Sequence, residues 1–212
     1  MKYSAILSSN YRSFSYIKLF IKNKLFPRFL IYLDNKKNNR IKNKIIKFVK
    51  KNKKIKIFIF KGDNIDDKKV KNFLLNLKEK IFVYSGYPGK IIKSNLILKK
   101  FIFLHSHTGK LPNYKGSTTI YYSLLKEKKI FCSTFIMGTL IDQGKILFIK
   151  NYPLPKNLKK IDEYDSKIRS INTLIVLKNL KKLMKKKIMK KNINTPYYIM
   201  HPVLRYLTLK KI

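Results

Sequence analysis

The chain has 212 residues and a formal net charge of +40, from 50 Lys and Arg against 10 Asp and Glu, and 45% of its residues are hydrophobic. This length and apolar content can bury a substantial core, which excludes a disordered chain despite the charge. Cys132 is the single cysteine, so disulfide frameworks and cysteine metal clusters are excluded, and we expect its thiol to be buried in a strand.

Strand-like and helix-like segments alternate in the first half of the chain. Five short apolar runs have the length and composition of strands, at 3–7, 29–33, 55–60, 81–84 and 101–104. Segments typical of helices lie between the first four runs, and the clearest are 40–51 and 67–77. This alternation predicts an α/β fold with a mainly parallel sheet.

The second half predicts a helix, two strands and a long amphipathic helix. The helix is expected at 118–129, and the strands at 130–137 and 145–152 are joined by the turn "GTLIDQG". Apolar residues then recur at helical spacing from Ile161 towards Lys187, and the apolar tail at 195–207 is expected to dock on the body. We interpret the Lys-rich run at 181–191 as the solvated face of a helix rather than an RNA-binding stripe.

No segment predicts a membrane partner. The longest uncharged apolar stretch, "IFCSTFIMGTLI", is shorter than the roughly twenty residues that a bilayer requires. The first residues, "MKYSAILSSNYRSF", turn polar after a short apolar run, unlike a signal peptide. We therefore expect a cytoplasmic location.

Two histidines stand at the end of the fifth apolar run. His105 and His107 are two apart, so on a strand they share one face, at the carboxyl end where α/β sheets bind ligands. They could be structural, could bind a metal with a third ligand, or could act in acid–base chemistry with a carboxylate. Asp142, in the turn between two apolar strands, is the candidate carboxylate.

The run from His105 to Phe148 resembles the core of the folate-dependent formyltransferases, which include glycinamide ribonucleotide, methionyl-tRNA and amino-sugar formyltransferases. That core reads N-x-H, then S-L-L-P, R-G and D-x-G. His107 falls on the catalytic histidine, Pro112 on the loop proline, Lys115–Gly116 on the Arg-Gly pair and Asp142 on the aspartate. Several matches in register make the resemblance specific.

The resemblance extends more weakly to the segments 83–92, 161–177 and 197–204, the last two resembling a bacterial formyltransferase-like branch. It implies a Rossmann-like formyltransferase fold, with helices on both faces of a mainly parallel sheet. It also implies a single domain over 1–212, made of a Rossmann-like half at 1–104, a catalytic core at 105–160, and a carboxyl-terminal helix with a docked tail at 161–212.

The resemblance implies formyl transfer from 10-formyltetrahydrofolate to a primary amine, which we expect on a nucleotide-linked amino sugar. The implied catalytic residues are His105, His107 and Asp142, without a metal, and His105 replaces the family's asparagine. The expected folate contacts are Tyr84, Gly86, Tyr87, Gly89, Met137 and Gly138. The glycines permit close backbone approach, and the tyrosines offer flat surfaces beside a pterin.

The sequence leaves three alternatives open. The charge would attract tRNA, as in a methionyl-tRNA formyltransferase, although such enzymes normally carry a further carboxyl-terminal domain. A basic RNA-binding protein on an inactive formyltransferase scaffold, and a hydrolase with His105, His107 and Asp142 as metal ligands, are the other two. The segment "SSNYRSF" after the first strand lacks a glycine-rich phosphate loop, so glycinamide ribonucleotide is not the expected substrate.

Overall fold

The computed structural model describes residues 2–35, 39–52, 54–185 and 195–212. The chain divides into two compact units, Met1–His105 (unit 1) and Ser106–Ile212 (unit 2). This division lies one residue after the boundary expected between 104 and 105. The single-domain organisation stays a prediction.

Unit 1 alternates strands and helices along the chain. Its strands are β1 (Ser4–Ser8), β2 (Phe29–Asp34), β3 (Lys56–Lys61), β4 (Ile81–Ser85) and the first part of β5 (Ile102–His107). Its helices are α1 (Tyr11–Lys22), α2 (Asn39–Lys50), α3 (Lys68–Leu75) and α4 (Asn95–Lys100). The strand pairs β2–β3, β1–β2, β1–β4 and β4–β5 are all parallel.

Burial along these strands follows their place in the sheet. Every residue of the uncharged strand β1 is buried, as is typical of a central parallel strand covered on both faces. The edge strand β3 begins and ends with Lys, and Ile59 within it is 49% exposed. Charged residues on an edge strand hinder pairing with other chains.

Unit 2 contains the end of β5, α5 (Thr119–Glu127), β6 (Ile130–Met137), β7 (Gly144–Tyr152), a 3-10 helix (Leu158–Lys160), α6 (Ile161–Met184) and α7 (Pro202–Lys210). Strands β6 and β7 form an antiparallel hairpin, with Ile130 opposite Tyr152 and Met137 opposite Gly144. Gly144 has a φ of +148°, and a Cβ there would lie 1.8 Å from the Ile136 carbonyl oxygen. The tight end of the hairpin therefore requires glycine at position 144.

The strand order is β3-β2-β1-β4-β5-β6-β7 in one mostly parallel, seven-stranded sheet. The predicted α/β class with a mainly parallel sheet is therefore confirmed. No helix among the described residues is long and apolar enough to cross a bilayer.

The expected elements occur with shifts of a few residues at their ends. The long helix begins at Ile161 as expected and ends at Met184, while Lys187 and the part of the Lys-rich run at 186–191 lie outside the described residues. The tail docks through Met200, which is 1% exposed and belongs to the apolar core of unit 2. The thiol of Cys132 is buried in β6, as expected, and burial raises its pKa.

A buried amide joins α6 to the β6–β7 hairpin. The Asn172 side chain donates to the Cys132 carbonyl oxygen at 3.2 Å and to Thr134 Oγ1 at 2.8 Å. It also accepts a hydrogen bond from the Tyr152 hydroxyl at 3.0 Å. These bonds satisfy buried polar groups.

Replacing this amide should therefore destabilise the protein. We expect Asn172→Ala to lower the free energy of unfolding by about 2–4 kcal/mol, because it leaves several buried polar groups without a partner. The control Lys167→Ala, at an exposed position of the same helix, should change it by no more than about 0.5 kcal/mol. Urea denaturation measures both, and equal effects would contradict the structural role of Asn172.

Candidate active site

The predicted histidine pair lies at the end of β5, which continues through both residues. His105 is half-buried, and its Nδ1 lies 3.0 Å from the Tyr84 carbonyl oxygen within unit 1. Since a carbonyl oxygen only accepts, Nδ1 carries the proton in this contact. In a neutral ring, Nε2 of His105 is then an acceptor.

His107 is 3% exposed and has polar contacts at both ring nitrogens within unit 2. Its Nε2 lies 2.8 Å from the Tyr114 carbonyl oxygen and 2.9 Å from Thr119 Oγ1. The Thr119 hydroxyl donates its own proton to the Thr108 carbonyl oxygen. Both neighbours of Nε2 therefore act as acceptors, and Nε2 carries a proton.

The other nitrogen of this ring faces Asp142. Nδ1 of His107 lies 3.3 Å from Asp142 Oδ2, which also accepts the Gly116 backbone N–H at 2.9 Å. A hydrogen bond between Nδ1 and Oδ2 requires one proton on either the imidazole or the carboxyl group. The predicted pairing of a histidine with Asp142 therefore occurs in the structure at His107.

Burial and charge act on the His107 ring in opposite directions. Burial lowers its pKa because the imidazolium would lose its hydration, and the nearby Asp142 carboxylate raises it. The positive charge of Arg169 lowers it further. The net result is a pKa below the usual value of 6.5.

The loop at 109–116 brings the backbone partners to this pair. A Cβ at Gly109 would lie 2.6 Å from the Tyr114 carbonyl oxygen and 2.9 Å from His107 Nε2, so only glycine fits there. The Ser133 hydroxyl donates to the Gly109 carbonyl oxygen at 2.6 Å and accepts the Leu111 N–H at 3.0 Å. The loop is thereby attached to strand β6.

The turn between β6 and β7 places Asp142 with a φ of +48°. This left-handed conformation is unfavourable for most side chains, but Asp and Asn tolerate it. The side chain is 12% exposed. The turn therefore offers a mostly buried carboxylate to the His107 ring.

Several contacting groups lie outside the residues predicted from the sequence. Thr119 and the Tyr114 carbonyl oxygen contact His107, and backbone groups carry no side-chain signal in a sequence. Arg169 donates to the Ser106 carbonyl oxygen at 2.7 Å and to Thr108 Oγ1 at 2.8 Å. Arg169 follows Asp165 by four residues on α6, a spacing that favours an ion pair. This spacing is the sequence signal that could have indicated the Arg169 side chain.

Of the residues expected to contact folate in unit 1, Tyr84 and Gly86 are buried and Tyr87 is half-buried. Tyr84 is 2% exposed and its ring packs near Phe103, so this ring does not offer the flat surface that we expected for a pterin. Gly86 is required by the same ring, because a Cβ there would lie 2.3 Å from the Tyr84 hydroxyl oxygen. Tyr87 is half-buried, and its hydroxyl donates to the Leu33 carbonyl oxygen at 3.1 Å.

Gly89 and the two expected folate residues of unit 2 lie nearer the surface. Gly89 is exposed, has a φ of +74°, and has no atom within 4 Å of an added Cβ. Met137 and Gly138 are half-buried at the end of β6, where the Gly138 N–H donates to the Gln143 carbonyl oxygen at 2.9 Å. Folate contact at these positions stays a prediction.

The metal alternative requires a cluster of ligating side chains. Within the part of the chain that the structure describes, no group of three or more His, Cys, Asp or Glu side chains could hold a metal ion.

Comparison with solved structures classifies the fold of this chain. A sugar N-formyltransferase from Shewanella sp FDAARGOS_354 aligns over 99% of this chain and 87% of its own, with a TM-score of 0.64 and 16% identity. A 4-N formyltransferase from Francisella tularensis aligns over 98% and 87%, with a TM-score of 0.60 and 15% identity. This chain has the formyltransferase fold.

A third similar structure is glycinamide ribonucleotide transformylase 1 from Symbiobacterium toebii, with a TM-score of 0.64 and 10% identity, covering 86% of this chain and 88% of that one. No protein-family model and no curated protein sequence matches the chain. The formyltransferase fold is therefore established by structure, and the His107–Asp142 contact lies on residues that match the N-x-H and D-x-G motifs of the resemblance.

The electrostatic coupling in this site can be tested by titration. Asp142→Asn removes the negative charge that raises the His107 pKa, so the pKa of His107 should fall further. NMR titration of the imidazole protons, with His107 assigned by a His107→Gln variant, measures this shift. The control Glu163→Gln, at an exposed position of α6, should leave the His107 pKa unchanged. A rise of the pKa in Asp142→Asn would contradict the assigned contact.

Proposed function

We propose that this chain is an N-formyltransferase that moves a formyl group from 10-formyltetrahydrofolate to a primary amine. The observation that carries the proposal is the buried His107–Asp142 contact, 3.3 Å between Nδ1 and Oδ2, on the formyltransferase fold. The fold itself supports many substrates, so the site has to support the chemistry.

The reaction needs two things from the protein. The amine nitrogen attacks the formyl carbon, a new C–N bond forms, and the carbonyl oxygen becomes a tetrahedral oxyanion. The intermediate then collapses, the bond to the folate nitrogen breaks, and tetrahydrofolate leaves. The amine loses one proton and the folate nitrogen gains one, so the site must stabilise an oxyanion and manage one proton.

The His107–Asp142 pair suits the management of this proton. The His107 ring already holds one proton on Nε2. This N–H donates to the Tyr114 carbonyl oxygen, which lies 2.8 Å from Nε2. The exchangeable proton is then the one between Nδ1 and Oδ2. The pair can give this proton to the leaving nitrogen and take its replacement from the attacking amine, so that the pair is restored. In this role Asp142 exchanges the proton, and His107 holds and polarises the carboxylate.

His105 suits the stabilisation of the oxyanion only when it is protonated. Its Nδ1–H donates to the Tyr84 carbonyl oxygen at 3.0 Å, so the neutral ring presents an acceptor at Nε2. The imidazolium would present a donor there, with a positive charge that favours an oxyanion. An asparagine at this position would supply a neutral donor without this requirement.

Each unit has one backbone-rich segment that suits folate contact, at 83–89 in unit 1 and at 137–142 in unit 2. Gly89, with open space at its Cα, and the exposed turn after Gly138 fit close approach by a flat ring. The buried ring of Tyr84 does not fit stacking. The folate supplies the activated formyl group, and the chain supplies orientation and proton transfer.

For the acceptor we propose a nucleotide-linked amino sugar. Two of the similar structures are described as a sugar N-formyltransferase and a 4-N formyltransferase. A tRNA acceptor is less favoured, because only five of the 50 basic residues are Arg, the better bidentate ligand of phosphate. Formyl transfer to a panel of nucleotide-linked amino sugars, measured by release of tetrahydrofolate, tests the proposal.

The carboxylate is the first residue to test. Asp142→Asn should fold normally, because Asn tolerates the left-handed backbone at this position. Its turnover should fall by about a hundredfold or more, since an amide cannot exchange the proton. We would measure kcat for formyl transfer after confirming the native circular dichroism spectrum. Normal turnover in the folded variant would contradict the assigned role.

The two histidines should not be equivalent. His107→Ala should lose about a hundredfold or more in kcat, because the carboxylate loses the ring that holds it. His105→Asn should keep substantial activity, because the amide donates a neutral hydrogen bond, while His105→Ala should lose more. Formyl-transfer rates of the three folded variants are the measurement. Equal collapse of all three, together with loss of a bound metal, would support the metal alternative and contradict this mechanism.

A further inference from the structure

A cavity of about 380 Å³ lies in unit 2, apart from the ring of His107. Its lining residues are Asn113, Tyr122, Thr195, Pro196, Tyr197 and Tyr198. Its volume falls within the range of about 300–1,000 Å³ that is usual for small-molecule sites. Three of these lining residues are tyrosines and one is an asparagine.

The ring of Tyr197 contacts two other tyrosine rings. The Tyr197 ring lies 5.7 Å from that of Tyr114, at an interplanar angle of 16°, and 4.3 Å from that of Tyr122, at 31°. Lys126 donates to the Tyr197 hydroxyl at 2.9 Å and lies 5.2 Å above its ring. Tyr198 is 87% exposed. The cavity therefore combines flat aromatic surface with a nearby positive charge.

The cavity is attached to the loop that carries the partners of His107 and Asp142. The Tyr197 N–H donates to the Lys115 carbonyl oxygen at 2.7 Å, and the Ser117 N–H donates to the Tyr197 carbonyl oxygen at 2.8 Å. A Cβ at Gly116 would lie 2.3 Å from the Tyr197 carbonyl oxygen, so glycine permits this pairing. The same Gly116 donates its N–H to Asp142.

We propose that this cavity binds the nucleoside diphosphate part of the acceptor, with the base against the tyrosine rings and the diphosphate near Lys126. The role of the cavity in catalysis rests on the proposed formyl transfer. Its binding of a nucleotide does not. Stacking suits any nucleobase, since every base has a flat aromatic face. The ammonium of Lys126 and the net charge of +40 attract the diphosphate.

The binding of uridine diphosphate to the full chain tests this proposal by calorimetry. We expect Tyr198→Ala and Tyr122→Ala to weaken binding by about tenfold or more, as for other base–aromatic contacts. Tyr198 is so exposed that its replacement leaves the fold intact. The matched control is Tyr206→Ala on α7, where another exposed tyrosine has a lysine ammonium, Lys210, 4.9 Å from its ring. It should change the affinity by less than about twofold.

Pyrophosphate and a short single-stranded RNA are the comparison ligands. Pyrophosphate should bind at least about tenfold more weakly than uridine diphosphate, because it lacks the stacking base. Equal binding of the two, or an unchanged affinity in Tyr198→Ala, would overturn the proposal. Tyrosine-dependent binding of the RNA that uridine diphosphate does not displace would also overturn it, in favour of an RNA site.

Activity measurements separate this proposal from the proposed function. Asp142→Asn should bind uridine diphosphate as the wild type does, and Tyr198→Ala should raise KM for a nucleotide-linked amino sugar while kcat is unchanged. Tyrosine-dependent nucleotide binding without formyl transfer to any amine would contradict the function and support the cavity. Formyl transfer to a simple amine without nucleotide binding would support the function and overturn the cavity assignment.

Discussion

The buried imidazole of His107 needs partners for both of its nitrogens, and the local structure of unit 2 depends on them. A buried polar group without a partner costs about 1–3 kcal/mol, so the three groups that contact this ring are under strong constraint. The Tyr114 carbonyl oxygen comes from a loop, Thr119 from α5 and Asp142 from a turn between strands. One side chain thereby fixes three segments that are separate in the sequence.

Two glycines make this convergence possible. Gly109 permits the Tyr114 carbonyl oxygen and the imidazole to approach each other, and Gly116 permits the tail residue Tyr197 to pair with the loop. The Gly116 N–H then reaches the Asp142 carboxylate at 2.9 Å. Backbone geometry and side-chain chemistry are therefore coupled, because the same loop supplies the partner of the ring, the partner of the carboxylate and the wall of the tyrosine cavity.

The two histidines of β5 differ in which nitrogen holds the proton. A backbone carbonyl oxygen fixes the proton on Nδ1 of His105, and another fixes it on Nε2 of His107. The nitrogen that remains on His107 faces a carboxylate, whereas the corresponding nitrogen of neutral His105 is an acceptor. Two identical side chains, two residues apart on one strand, thus have different chemistry because their backbone neighbours differ.

The sequence by itself determined the α/β class, the strands and the position of the histidines, because apolar runs and the two-residue period of a strand are local signals. The motifs that resemble the formyltransferase core also indicated that the Asp142 carboxylate pairs with His107. Only the tertiary structure decided that the ring of Tyr84 is buried, that the Tyr114 carbonyl oxygen and Thr119 hold the imidazole, and that Tyr197 pairs beside Gly116. These contacts join distant segments, often through backbone atoms that every residue possesses, so no pattern of residue types could specify them.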